Sequence, residues 1–199
     1  MNYSAIILCA GQGTRYKGKK QDVIFENKPL WRHPYDTAVD VIGKNNVIAV
    51  GKDIPGGEYR SGSVLNGLRA LPQNTDRVII LEAARPLVTA AQIKRLLDDN
   101  HKSVSYVRPL VNTVIYRTGE YINRDEMYEL LTPQAFDFKL LLEAYESGKF
   151  QDMTDDTRVM KEYHGIDPFF IETDDNLFKV TYPGDLDIIE VLYRKHNEV

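Results

Sequence analysis

Three short apolar runs punctuate the first half of the chain: Ala5–Ala10, Asn46–Val50 and Val78–Leu81, each bounded by turn formers. A run without polar alternation suits a strand covered on both faces, so these predict buried parallel strands. Between them apolar residues recur at helical spacing. Leu30–Ile42 is one such segment, with Pro34 limiting where its helix begins. Ser61–Leu71 places Val64, Leu65, Leu68 and Leu71 on one face. Thr89–Asn100 sets Ile93, Leu96 and Leu97 behind Thr89 as N-cap. Strands alternating with helices predict an α/β fold with a doubly wound or three-layer sheet.

The pattern changes after Asn100. Ser103–Arg108 reads as a strand. Val111–Arg117 and Tyr121–Arg124 flank Thr118-Gly119-Glu120, which predicts a hairpin or projecting arm over about 109–124. Phe136–Tyr145 reads as helix, Phe169–Glu172 and Phe178–Val180 as late strands, and Asp185–His196 as a helix with Pro183 shortly before it. No repeat or low-complexity linker divides the chain, so a single domain over 1–199 is expected.

Composition narrows the function. The chain has 199 residues, enough for a sizeable core, and no apolar run approaches the ~20 residues of a membrane span. The N-terminus lacks the charged and apolar regions of a signal peptide. Its single cysteine, Cys9, excludes an intramolecular disulfide and fits a reducing, cytoplasmic setting. A net charge of −4 argues against general nucleic-acid or anionic-membrane binding. Basic residues near the N-terminus must therefore act locally.

They cluster beside the first strand. Ala10-Gly11-Gln12-Gly13-Thr14-Arg15 leads to Lys19-Lys20-Gln21. Glycines permit close backbone approach, and such loops cradle phosphates. The same Gly-x-Gly also suits a plain tight turn. Neither a Walker A loop nor the third glycine of a dinucleotide fingerprint is present. Gly56-Gly57-Glu58-Tyr59-Arg60-Ser61-Gly62-Ser63 reads as a base and ribose site at a helix N-terminus, or as a simple cap. Glu82-Ala83-Ala84-Arg85-Pro86 follows a strand end, where open α/β sheets bind ligands. Its bland alternative is a surface Glu82–Arg85 ion pair of little energetic weight.

In order and spacing, these segments resemble the cytidylyltransferases that make CDP-alcohols. Leu131-Thr132-Pro133-Gln134, Thr154-Asp155 and Lys179-Val180-Thr181 complete the pattern, which runs nearly end to end. The best-known members act on 2-C-methyl-D-erythritol 4-phosphate, and close relatives on ribitol 5-phosphate. The resemblance implies a Rossmann-like α/β/α nucleotidyltransferase fold with a mostly parallel sheet and a short β-arm. It implies that Arg15, Lys20 and Lys179 hold the triphosphate, and that Ala10, Gly11, Gly13, Gly57, Glu58, Arg60 and Ser63 surround the nucleoside. Glu82, Arg85, Thr132 and Thr154 fall on the acceptor side. Arg124 and Thr113 lie in the arm, which in the family reaches into a partner subunit's site; the resemblance implies a homodimer, with Arg124 joining Arg15, Lys20 and Lys179 as a catalytic residue and Thr113 on the acceptor side.

The implied reaction is attack by an acceptor phosphate oxygen on the α-phosphorus of CTP, with Mg2+ and cationic side chains offsetting the repulsion between anions. Glu82, where the family usually has aspartate, is the candidate metal contact. Gly18-Lys19-Lys20 stands in place of a proline-lysine pair, and the chain is shorter before Gly56 and within Val111–Asn123. Three other readings compete: a ribitol phosphate or surface-polysaccharide precursor as acceptor, a nucleotide-binding protein without catalysis, and a nucleotidyltransferase that uses UTP or GTP. His33, His101, His164 and His196 show no metal-ligand spacing, Cys9 reads as a packed residue, and Asp152–Asp156 as an acidic run that is either solvated or cation-binding, solvation being the usual case.

Overall fold

The computed structural model describes residues 1–173 and 177–197. In chain order the elements begin with β1 (Tyr3–Leu8), the short strands β2 (Ile24–Phe25) and β3 (Lys28–Pro29), α1 (Arg32–Ile42), β4 (Val47–Val50) and α2 (Arg60–Ala70). Next come β5 (Arg77–Glu82), α3 (Ala90–Leu97), β6 (Ser103–Pro109), β7 (Val114–Ile115), β8 (Tyr121–Ile122) and β9 (Tyr128–Asp137). The chain closes with α4 (Phe138–Glu146), α5 (Asp156–His164), β10 (Phe169–Glu172) and α6 (Asp185–Asn197).

Six strands form one sheet in the order β10-β6-β9-β5-β1-β4. Ala5 of β1 lies opposite Val47 on one side and Ile79 on the other, both in parallel register. Within this sheet β9 alone runs against the rest. The expected α/β sheet is therefore present, parallel but for one inserted strand.

The unbroken apolar runs follow from helices on both faces. Along β1, Ala5 and Ile7 join Ile79, Leu81, Ile93 and Leu96 beneath α1 and α3. Ile6 faces the other way, joining Val64, Leu68, Ile80, Phe136, Leu141 and Met160 beneath α2, α4 and α5. A third cluster, Phe25, Leu30, Val180 and Ile189, fastens α6 and the segment before it to the β2–β3 hairpin.

Several boundaries differ from expectation. Strand β9 was not predicted, because Pro133 interrupts its pattern. Its register shifts between Ser105/Gln134 and Tyr106/Leu131, leaving Thr132 and Pro133, joined by a cis peptide, at a bulge. Proline has no N–H for the ladder and fits a strand at such a break. Phe136 belongs to this strand rather than to a helix. Helix α4 starts at Phe138 because the Asp137 side chain accepts from Leu140 N at 3.1 Å. Thr89 and Gln92 form a reciprocal capping box, and α3 ends at Leu97.

Phe178–Val180 is not a strand. Val180 N donates to Ala84 O at 2.8 Å, without building a ladder. Helix α5 was missed, since its start, Asp155-Asp156, reads as a solvated acidic run. Asp155 instead caps the helix, and Asp156 is fully buried. The arm turn forms where expected, with Gly119 N bonded to Tyr116 O, but each arm strand has only two residues. Among the described residues no helix is long and apolar enough to cross a membrane.

Candidate active site

Strands β1, β4 and β5 are parallel, so the loops that follow them emerge at one sheet edge. The first loop closes on itself: Gly18 N donates to Gly13 O at 3.3 Å, and Lys20 N to Gly18 O at 2.9 Å. Gly13 has φ +63°, and a Cβ there would lie 1.9 Å from Gly18 O. At Gly11 a Cβ would meet nothing within 4 Å. The two readings of Gly-x-Gly thus divide between its members. Gly13 closes the turn, whereas Gly11 borders open space.

That space is a cleft of about 330 Å³. Ala10 and Gly11 line one wall, Gly57, Glu58, Arg60 and Ser63 another, and Lys20, Glu82 and Lys179 complete it. Lys20 Nζ donates to Val180 O at 2.8 Å, which ties the first loop to the segment before α6. Burial lowers the Lys20 pKa, and Lys179 and Arg15 add to the effect. An arriving polyanion would relieve that repulsion. Lys179 Nζ lies 2.5 Å from Glu82 Oε2, and Arg85 Nε lies 4.0 Å from the same oxygen. Burial opposes the charge on Glu82, but Lys179 and Arg85 outweigh it and hold the carboxyl below its usual range. Glu82 and Arg85 are therefore no surface ion pair: both side chains are largely buried, and Lys179 is the nearer cation.

The second loop is clamped from within. Gly57 N donates to Ser63 Oγ at 3.0 Å, and Ser63 Oγ donates to Tyr59 O at 3.3 Å. A Cβ on Gly57 would lie 2.5 Å from the Gly62 carbonyl carbon, so only glycine lets the turn fold onto α2. Arg60 is not a free cation over the cleft. Its Nη1 and Nη2 donate to Asp156 Oδ1 and Oδ2 at 2.9 and 2.6 Å. The Tyr145 hydroxyl also bonds Asp156.

The expected acceptor residues separate into two groups. Arg85 is buried, its Nε donating to Thr132 Oγ1 at 2.9 Å and its Nη1 to Leu177 O. These two predicted residues are brought together. Thr113, Arg124 and Thr154 are exposed and do not line the cleft. Arg124 bonds Val111 O within the arm and lies 3.8 Å from Asp125. Arg15 is exposed on the first loop, near enough for its charge to reach Lys20.

Other titratable groups have local partners. Burial pushes the Cys9 thiol up to about 12, so it is an inert packed residue. His33 Nε2 donates to Phe25 O at 2.9 Å, and burial lowers its pKa. His101 lies against Asp99, and His164 against Leu140 O. The side chain of His196 lies outside the described residues. Among the described residues no group of three or more His, Cys, Asp or Glu side chains is placed to hold a metal. Sequence reasoning missed the Val180 carbonyl as part of the site, and Asp156, Tyr145 and Gln134 as its supports. For Asp156, the sequence signal is its place just after Thr154-Asp155.

The geometry agrees with what the chain is similar to. A sequence profile of IspD, 2-C-methyl-D-erythritol 4-phosphate cytidylyltransferase, matches residues 3–195. A relative of that name from Clostridium botulinum (strain Langeland / NCTC 10281 / Type F) is 30% identical, covering 96% of this chain and 97% of its own. That alignment extends over 224 positions, so the relative carries segments that this 199-residue chain lacks. The Aquifex aeolicus (strain VF5) relative, of the same name, is 31% identical over 94% of this chain and 96% of its own. The 4-diphosphocytidyl-2C-methyl-D-erythritol synthase structure from Anaerococcus prevotii superposes with a TM-score of 0.80 at 21% identity, covering 96% of each chain. Bifunctional IspDF from Campylobacter jejuni gives 0.82 at 24% identity, over 94% of this chain and 54% of its own. With the profile spanning nearly every element, this chain belongs to the 2-C-methyl-D-erythritol 4-phosphate cytidylyltransferase family.

Proposed function

We propose that the protein transfers CMP from CTP to 2-C-methyl-D-erythritol 4-phosphate, releasing pyrophosphate, as a step of isoprenoid synthesis in the cytoplasm. One observation carries the reading: Lys20 and Lys179 face the Gly57–Ser63 turn across a single cleft at the ends of β1 and β5. The turn suits a nucleoside, and the lysines suit its triphosphate. An acceptor phosphate oxygen attacks the α-phosphorus, forming a new P–O bond. The bond to the bridging oxygen breaks, and pyrophosphate leaves with its electron pair. The acceptor phosphate supplies its own nucleophile, so the residues need only orient the anions and stabilise charge. Arg15, on the loop rim, adds to that field.

A divalent cation, Mg2+ by its preference for phosphate oxygens, fits this donor set. Glu82 is the carboxylate beside the lysines, and no protein cage surrounds it among the described residues. The ion would arrive largely on the triphosphate, with Glu82 as its protein contact. When bound, it supplies further charge neutralisation at the phosphates.

Arg85 and Thr132 form the acceptor wall, with Thr154 on the rim. Thr113 and Arg124 act from the arm, about 109–124, in a homodimer that brings the arm to the partner's cleft. The chain acts as one nucleotidyltransferase unit over 1–199. Pyrophosphate release tests the reading, with CTP or UTP paired in turn with 2-C-methyl-D-erythritol 4-phosphate or ribitol 5-phosphate. CTP with the methylerythritol phosphate should give the highest kcat/KM. Preference for ribitol 5-phosphate would overturn the acceptor, and preference for UTP the nucleotide.

A further inference from the structure

Arg60 is the first residue of α2 and lines the cleft, yet its guanidinium is directed to another element. Both terminal nitrogens engage both oxygens of Asp156, the first residue of α5. Asp156 is fully buried, and Tyr145 of α4 bonds it from the side. A buried ion pair is a poor way to gain stability, because well-packed apolar residues do as well or better. What such a pair can provide is a fixed geometry, since a bidentate guanidinium–carboxylate contact sets distance and plane together. Ser61 Oγ bonds Gln151 O one residue further on, so the start of α2 is attached twice to the 151–156 segment.

The same segment also reaches β9. Gln134 Nε2 donates to Asp155 Oδ2 at 2.8 Å. Gln134 is fully buried on β9, two residues beyond Thr132, which holds Arg85. Adjacent aspartates therefore join the Gly57–Arg60 turn to the strand that carries Thr132. Neither aspartate lines the cleft.

We infer that Asp156 is a positioning residue for the nucleotide: through Arg60 it fixes the Gly57–Arg60 turn in the orientation that reads the base. The inference rests on the CTP reading above. It assigns Asp156 no contact with substrate. Its loss should weaken nucleotide binding and blur base choice, while the phosphate-side chemistry persists.

The test is CTP and UTP binding by calorimetry, alongside KM and kcat, in wild type, Asp156→Asn and Tyr145→Phe, well below each melting temperature. Asp156→Asn keeps the shape and removes the charge that holds Arg60. It should raise the CTP Kd and KM about tenfold, as a ~1.4 kcal/mol loss would. Its kcat should change much less, and its preference for CTP over UTP should narrow. Tyr145→Phe removes one support outside the cleft and should shift the same constants in the same direction by about threefold, the effect of a fraction of one hydrogen bond. Leu141→Ala, buried in α4, is the control for simple destabilisation and should leave the CTP constants unchanged.

If Asp156→Asn and Tyr145→Phe lower the melting temperature but leave CTP affinity and base preference at the wild-type values, the pair is only structural and the inference fails. An equal affinity loss in Leu141→Ala would overturn it too. Wild-type CTP binding reports separately on the parent reading: if wild type binds no CTP, that reading fails and this inference with it.

Discussion

The Gly57–Ser63 turn and the arm at 109–124 both leave the sheet, but they are held in opposite ways. The turn is fixed by Ser63 from within, by Asp156 from another helix and by the close contact of Gly57 with α2. The arm carries two-residue strands, and its bonds are exposed: Arg124 to Val111 O, and Asn123 Nδ2 to Glu126 Oε1 at 2.9 Å. Val111, Ile115 and Tyr121 of the arm are all more than half exposed. A preorganised wall can select a small ligand before any partner arrives. An arm with few internal bonds has little local stability of its own.

Substitutions on each side should therefore differ in kind, and the largest effects belong to the cleft. Lys20→Ala or Lys179→Ala should lower kcat by about 10²–10³, roughly 2.7–4 kcal/mol of lost preorganised charge stabilisation. Steady-state pyrophosphate release measures this, and unchanged kcat in both variants would remove the lysines from the chemistry. The loop glycines sharpen the contrast. Gly13→Ala should cost at least about 1–2 kcal/mol of stability, because the left-handed backbone there disfavours a Cβ. Gly11→Ala should leave the melting temperature unchanged and weaken CTP binding instead, since its methyl enters the cleft. Equal melting temperatures for the two variants would contradict the division of labour between the glycines.

A smaller effect should appear with pH. The Glu82 carboxyl is held below its unfolded pKa of about 4.3. Its pairing therefore contributes stability above that value and loses it as pH falls through the lower, folded pKa. Melting curves of wild type and Glu82→Gln should lie apart at neutral pH and converge as pH falls through the lowered, folded pKa. The smallest stability effect belongs to the arm: Arg124→Ala should stay within about 0.5 kcal/mol, as at an exposed site. Its kinetic effect should be confined to the acceptor, with KM for the phosphate raised and KM for CTP unaltered. A comparable change in the CTP constant would mean that arm and turn are not separate devices.

How much was readable in the sequence follows the same division. Strands β1, β4 and β5 are continuous apolar runs because helices cover both faces, so hydropathy alone reveals them. Gly11, Gly57, Ser63 and Lys20 stood out because close approach and charge demand particular residue types, whereas Lys179, far along the chain, was picked out only by the family resemblance. Strand β9 was hidden by Pro133, whose bulge breaks the apolar pattern. Helix α5 was hidden because Asp156, a residue type that usually marks solvent, is buried by its partner Arg60, 96 positions away. Phe178–Val180 has a strand's composition but, among the described residues, joins no ladder, and no local pattern reveals that. What escaped the sequence was chiefly long-range pairing.

The most direct measurement is ³¹P NMR of the purified protein with CTP, Mg2+ and 2-C-methyl-D-erythritol 4-phosphate. The account predicts that coupled diphosphate signals of a CDP-alcohol grow at the same rate as pyrophosphate, and that neither appears without the acceptor. Unchanged CTP in the complete mixture, or CMP accumulating in place of a CDP-linked product, would contradict it.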